Sequence, residues 1–125
     1  MRDPDRESKE LLGLCRAKLI EARAEALNRL MSLRGALSQQ ERGGDEVDQS
    51  VGLLEENNNL TLTHRLRVHL FEIDSALARI ELGHYGLCEE TGEPIEPQRL
   101  LALPWTRLSI EGAEIRESLN RGYSR

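Results

Sequence analysis

Residues 12–37 read LGLCRAKLIEARAEALNRLMSLRGAL. Small or apolar side chains return at Leu12, Cys15, Leu19, Ala22, Ala26, Leu30, Leu33 and Leu37, in steps of 3, 4, 3, 4, 4, 3 and 4. That is the period of a helix with one narrow buried stripe, a heptad seam with one extra step of four near Ala26. Asp3-Pro4 supplies the start: the carboxylate accepts free N–H groups, and proline suits a first turn whose N–H lacks a partner anyway. The pattern stops at Gly43-Gly44, where helix propensity collapses. A second stripe then runs through Leu62, Leu66, Leu70, Ile73, Leu77 and Ile80 and ends at Gly83. Asp45 and Asp48 are both placed to cap its start. Each helix would hold about 35 residues, roughly 50 Å at 1.5 Å per residue. So short a link forces the second helix back antiparallel to the first. The predicted fold is mainly α: a long antiparallel two-helix coiled-coil hairpin over residues 1–83, with an acidic tip at 43–50. Toward that tip the seam gives way to Glu55-Glu56-Asn57-Asn58-Asn59, which predicts weak packing there.

Composition agrees. At 125 residues the chain is one domain, or one small domain plus an extension. Only 3% of residues are aromatic, too few to fill a compact core, whereas Leu, Ala, Glu and Arg favour long helices. The net charge is −5, and residues 41–56 hold all of the excess: six acids (Glu41, Asp45, Glu46, Asp48, Glu55, Glu56) against Arg42. A localised acidic point is unlike the broad basic face that binds a nucleic-acid backbone. No apolar run reaches the roughly 18 residues of a membrane span, and no signal peptide is visible, so the expected location is the cytoplasm. In that reducing compartment Cys15 and Cys88 are expected as free thiols.

Residues 84–125 read differently. Thr91-Gly92, Pro94, Pro97 and Pro104 mark a turn-rich knuckle with at most a short hairpin. A last helix is predicted from Thr106 or Ser109 to Asn120, with Leu108, Ile115 and Leu119 for packing. The knuckle carries the most specific string in the chain: Gly83-His84-Tyr85-Gly86-Leu87-Cys88-Glu89-Glu90-Thr91-Gly92-Glu93-Pro94-Ile95, then Arg99-Leu100-Leu101-Ala102-Leu103-Pro104. This resembles the zinc-finger segment of the DksA/TraR family of RNA-polymerase-binding regulators, with the metal ligands removed. The family pattern C-x2-C-x17-C-x2-C falls here on Cys88, Thr91, Ser109 and Gly112.

A structural zinc takes four thiolate or imidazole ligands in a tetrahedron. Hydroxyls would have to ionise, and glycine offers nothing. The expectation is therefore a degenerate finger without zinc or other cofactor. Apolar contacts from Tyr85, Leu87, Ile95, Leu100, Leu103, Trp105 and Leu108 would replace the folding energy of the metal. The alternative is a rebuilt site of His84 and Cys88 with Glu89 or Glu90, which needs a helical turn to join the first two.

Further upstream, Asp45-Glu46-Val47-Asp48-Gln49-Ser50 resembles the family's D-x-x-D-x-A tip, at matching distance from Cys88. Ser50 departs from the family's alanine. The resemblance implies that this tip enters the secondary channel of RNA polymerase, with Asp45 and Asp48 approaching the catalytic Mg²⁺. The plainer reading is two helix caps on a polar loop. The family's basic positions for ppGpp, the alarmone of the stringent response, fall on Glu72, Leu103 and about Ala113. None can pair with a phosphate, which implies action independent of ppGpp. His64 and His69 are expected on the surface, and Cys15 as a small core residue. Arg65 and Arg67 are expected on a solvated face, or at the channel rim.

The implied function is a transcription regulator: a monomer that binds RNA polymerase, makes no direct sequence-specific contact with DNA and touches no membrane. A transcript-cleavage type of polymerase factor is the first alternative, and a helical interaction module for another partner the second. No nucleophile–base pair or phosphate-cradling glycine loop is present, so no enzyme activity is expected.

Overall fold

The computed structural model describes residues 3–42 and 49–123, and the side chains of residues 3–36 and 53–122. Four helices follow one another: α1 (Pro4–Arg42), α2 (Gln49–Leu82), α3 (Pro97–Ala102) and α4 (Ile110–Tyr123). The two long helices hold 39 and 34 residues and form the predicted coiled-coil hairpin. Asp3 caps α1, its Oδ1 accepting the Asp5 N–H at 3.1 Å.

The chain divides into two compact units. The first joins Met1–Glu21 to Glu72–Arg125. Within it Cys15 and Leu19 of α1, one helical turn apart, and Ile73 and Ala76 of α2 all have 0% exposure. These spacings put each pair on a single helix face, so the seam is real at the foot of the hairpin. Ala76 was not part of the apolar period. It lies beside Ile73 on the same face, and its small side chain lets the helices close together. Leu77 and Ile80 are only half-buried.

The second unit, Ala22–Phe71, holds the same two helices further along. Ala26 is buried there, and Leu30, Leu33, Leu66 and Leu70 are half-buried. Leu62, which the period assigned to the seam, is 46% exposed. Two successive steps of four account for this. Eight residues at about 100° each overshoot two turns by about 80°, which rotates Leu62 off the stripe set by Leu70.

At the end of α2 the chain leaves through Gly83, whose φ is +79°. The Gly83 N–H donates to the Ile80 carbonyl at 3.2 Å, and the His84 N–H donates to the Arg79 carbonyl at 2.9 Å. This pair of bonds closes a helix on a left-handed residue, a conformation that costs an L side chain about 1–2 kcal/mol.

After Gly83 the chain folds into the knuckle. Leu87 and Pro94 form an isolated antiparallel bridge, as the short-hairpin reading expected. The six residues from Pro97 are helical, however, and not a further turn. Pro97 at the first helical position is the start signal that the density of prolines obscured. None of the described helices is long and apolar enough to cross a membrane.

Candidate functional site

The four positions where the finger pattern places ligands come together. The first two sit on the reversal between Leu87 and Pro94. There the Cys88 N–H donates to the Glu93 carbonyl at 2.8 Å and the Gly92 N–H to the Cys88 carbonyl at 2.9 Å. The other two sit at the head of α4. Ser109 is its N-cap, with Oγ accepting the Gly112 N–H at 3.0 Å. Glu96 Oε2 accepts the next free donor, the Ile110 N–H, at 3.2 Å. A carboxylate at a helix N-terminus is favourable. One backbone bond, from the Glu89 N–H to the Arg107 carbonyl at 2.9 Å, ties the two halves together.

Between the halves lies Cys88, 2% exposed. Burial pushes its thiol up. The hydroxyls and then the backbone N–H groups of Ser109 and Thr91, hydrogen-bonded to the sulfur, outweigh burial and bring the pKa down to about 6. The Ser109 hydroxyl that lowers the thiol's pKa is also the acceptor for the Gly112 N–H. Gly112 is buried, and a β-carbon built on it would collide with Cys88 Sγ.

This arrangement does not fit a structural zinc. One thiol and two hydroxyls are a poor donor set, and Cys88 Sγ reaches the ground where a side chain at position 112 would begin. The alternative set fails as well. Residues 84–88 are not helical, and His84 is exposed while Cys88 is buried. Glu89 and Glu90 face arginines. Arg116 reaches Glu90 at 3.0 Å and Glu89 at 3.5 Å, and Arg107 lies 3.9 Å from Glu89. Among the described residues no group of three or more His, Cys, Asp or Glu could hold a metal ion.

An apolar cluster underlies the site. Cys88, Ile95 and Leu100 are buried with Cys15 of α1, and Leu11, Tyr85, Leu101 and Leu108 pack against them. Three residues expected in this set are not in it: Leu87 is 51% exposed, Leu103 37%, and Trp105 is half-buried outside the cluster. Leu87 neighbours Cys88 in extended chain, where successive side chains point to opposite sides. Leu103 is the C-cap of α3, with φ −132° and ψ 72°, so it has already left the helical face of Leu100. Ile115 and Leu119, expected to pack, are exposed at 36% and 53%. The face that α4 buries is the one carrying Ser109 and Gly112.

Donors to backbone carbonyls complete the unit. Lys18 Nζ donates to the Leu101 carbonyl at 2.8 Å, and Cys15 Sγ to that of Leu100 at 3.7 Å, so α1 serves the open end of α3. Arg99 Nε donates to the Leu108 carbonyl at 2.8 Å. The Tyr85 hydroxyl donates to the Pro104 carbonyl at 2.7 Å, and burial pushes its pKa up, so it stays a donor. Arg79 approaches the carbonyls of Trp105 and Thr106 at 3.4 and 3.5 Å. Sequence reasoning missed all of these bonds, because a side chain aimed at a backbone carbonyl has no partner side chain to read.

The remaining candidates are spread through the chain. Asp45 and Asp48 lie outside the described residues, and Ser50 is in the first turn of α2. Glu72 and Ala113 are half-buried on α2 and α4. His64, Arg65 and Arg67 are exposed, but His69 is half-buried, against expectation, since it shares a flank of α2 with Leu66, Leu70 and Ile73.

Comparison with known proteins follows the same lines. Residues 83–118 match the model of the prokaryotic dksA/traR C4-type zinc finger. An uncharacterized protein of Aquifex aeolicus is 37% identical over 113 residues, 86% of this chain and 77% of its own length. The RNA polymerase-binding transcription factor DksA of Caulobacter vibrioides is 40% identical over 81 residues, 65% of this chain. The match spans about half of that relative, 52% of its length. The solved structure of transcription factor DksA2 from Pseudomonas aeruginosa superposes with a TM-score of 0.87, at 35% identity, over 97% of this chain and 94% of that one.

Proposed function

The chain belongs to the DksA/TraR family, and on that premise we propose that it is a transcription regulator that binds RNA polymerase. The observation that carries this reading is the likeness to a transcription factor structure over 97% of the chain, at 35% identity. The hairpin tip enters the secondary channel, where Asp45 and Asp48 act on the promoter complex. Carboxylates suit that place, because a catalytic Mg²⁺ and basic active-site groups are the partners available to them. The effect is a shift of population: the factor binds one state of the promoter complex more tightly than another. A tenfold change in lifetime needs a differential of only about 1.4 kcal/mol, within reach of one or two carboxylates. Glu72, Leu103 and Ala113 stand where phosphate-binding cations would be needed, so the factor acts without ppGpp. It also works without zinc, because its donor set is wrong for the metal. No chemistry is catalysed by the chain itself.

The test is competition for core RNA polymerase, with promoter-complex lifetime as second readout. Wild type and Asp48→Asn are expected to bind within about twofold of each other, while only wild type changes the lifetime, with or without ppGpp. Failure of wild type to bind core polymerase would sink this reading. An Asp48→Asn variant as active as wild type would remove Asp48 from the mechanism.

A further inference from the structure

We propose that the sulfur of Cys88 occupies the centre of the vacated finger, and that Gly112 is the residue that makes room for it. The inference rests on the zinc-free reading above and adds what fills the space. Cys88 stands at a ligand position of the finger pattern and is buried in the apolar cluster with Ile95 and Leu100. A β-carbon at Gly112 would overlap Cys88 Sγ, and it would also lie 3.3 Å from Ser109 Oγ and 3.4 Å from Glu90 Cβ. The last two contacts are tight by only a few tenths of an ångström, which a small shift relieves; the overlap with sulfur is the one that no small shift removes. A large sulfur atom among two hydroxyls and buried apolar carbon fills space that would otherwise be a cavity.

The two residues are therefore coupled. While Cys88 points inward, position 112 tolerates no side chain, whether it is a metal ligand or a methyl group. Loss of the ligand at 112 and the inward turn of Cys88 are one device, and that device excludes the metal by occupation.

Helix propensity makes the test sharp, because it predicts the opposite sign. Gly112 lies in the first turn of α4, where alanine is the better helix former. Propensity alone has Gly112→Ala raising Tm. Overlap with sulfur has it lowering Tm by about 5 °C or more. The full-length chain is melted as wild type, Gly112→Ala, Cys88→Ala and the double variant, and metal content is measured after growth in zinc-replete medium. The expected result is a fall in Tm from Gly112→Ala in the wild-type background and a rise from it in the Cys88→Ala background. Should Gly112→Ala alone fail to fold, the Cys88→Ala background still decides: a rise supports the proposal and a fall overturns it. A rise in both backgrounds, with less than about 0.1 zinc per chain, overturns the occupation by sulfur and leaves the zinc-free reading intact. Stoichiometric zinc that chelators remove, with a drop in Tm, overturns both.

Discussion

Leu100→Ala tests the claim that apolar packing holds the knuckle. Leu100 is 4% exposed and lies among Cys15, Cys88 and Ile95. Truncation to alanine removes three carbons, and at about 0.8 kcal/mol per buried carbon the lost transfer energy is about 2.4 kcal/mol. The residual cavity adds to this, giving a total of about 3 kcal/mol. For a chain of this size that is roughly 10 °C in Tm. Leu103→Ala is the control on the same segment. At 37% exposure it forfeits about two-thirds of the transfer energy, about 1.5 kcal/mol, and opens no closed cavity. Both variants keep the backbone carbonyl of Leu100 that Cys15 meets, so the comparison isolates packing. Urea titration would be followed by far-UV circular dichroism and by fluorescence of Trp105, the sole tryptophan of the chain. Wild type and both variants would be run with and without a chelator. Equal destabilisation by the two substitutions would refute the apolar account, and so would a chelator effect larger than that of Leu100→Ala.

Two further outcomes follow from the head of α4 and from the sulfur. Ser109→Ala removes the cap of α4 and should cost about 1 kcal/mol; a loss under about 0.3 kcal/mol in urea titration would mean the cap is redundant with Glu96. Cys88 titrates lower in the fold than its ordinary 9.0, at about 6. A depressed folded pKa means the anion stabilises the fold fully above pH 9, and that contribution drains away as pH falls to 6. The stability gap between wild type and Cys88→Ala should therefore widen from pH 6 to pH 9, and a gap constant across that range would contradict the bonding described for the sulfur.

Much of this fold was legible because the signals are local. Asp3-Pro4, Gly83 and the 3–4 steps of Cys15, Leu19 and Ile73 each act within one helical turn, so they survive without knowledge of the partner. Ala76 was missed for the same reason: its role is the closeness of a second helix, which a period cannot show. In the knuckle the spacing of Cys88, Thr91, Ser109 and Gly112 pointed to one finger-like segment. What the spacing lacked was the direction of side chains on non-repeating backbone, so Leu87 and Leu103 were assigned inward. Cys15 was read as a small core residue, but its place in the knuckle core, and that of Leu11, were not legible because they come from the far end of the sequence.

That distance governs the order in which the protein assembles. Cys15 and Lys18 meet Leu100 and Leu101 across separations of 85 and 83 residues. Closing so long a loop is entropically slow unless intervening structure shortens it. Zipping of the two long helices provides the shortcut, so the knuckle condenses after the hairpin. During synthesis, Leu11 and Cys15 leave the ribosome first, and the edge they give to the knuckle stays wet until residues 95–101 arrive. Over that interval the nascent chain is at its most adhesive, and chaperone demand should track the delay between the two ends rather than the stability of the finished protein.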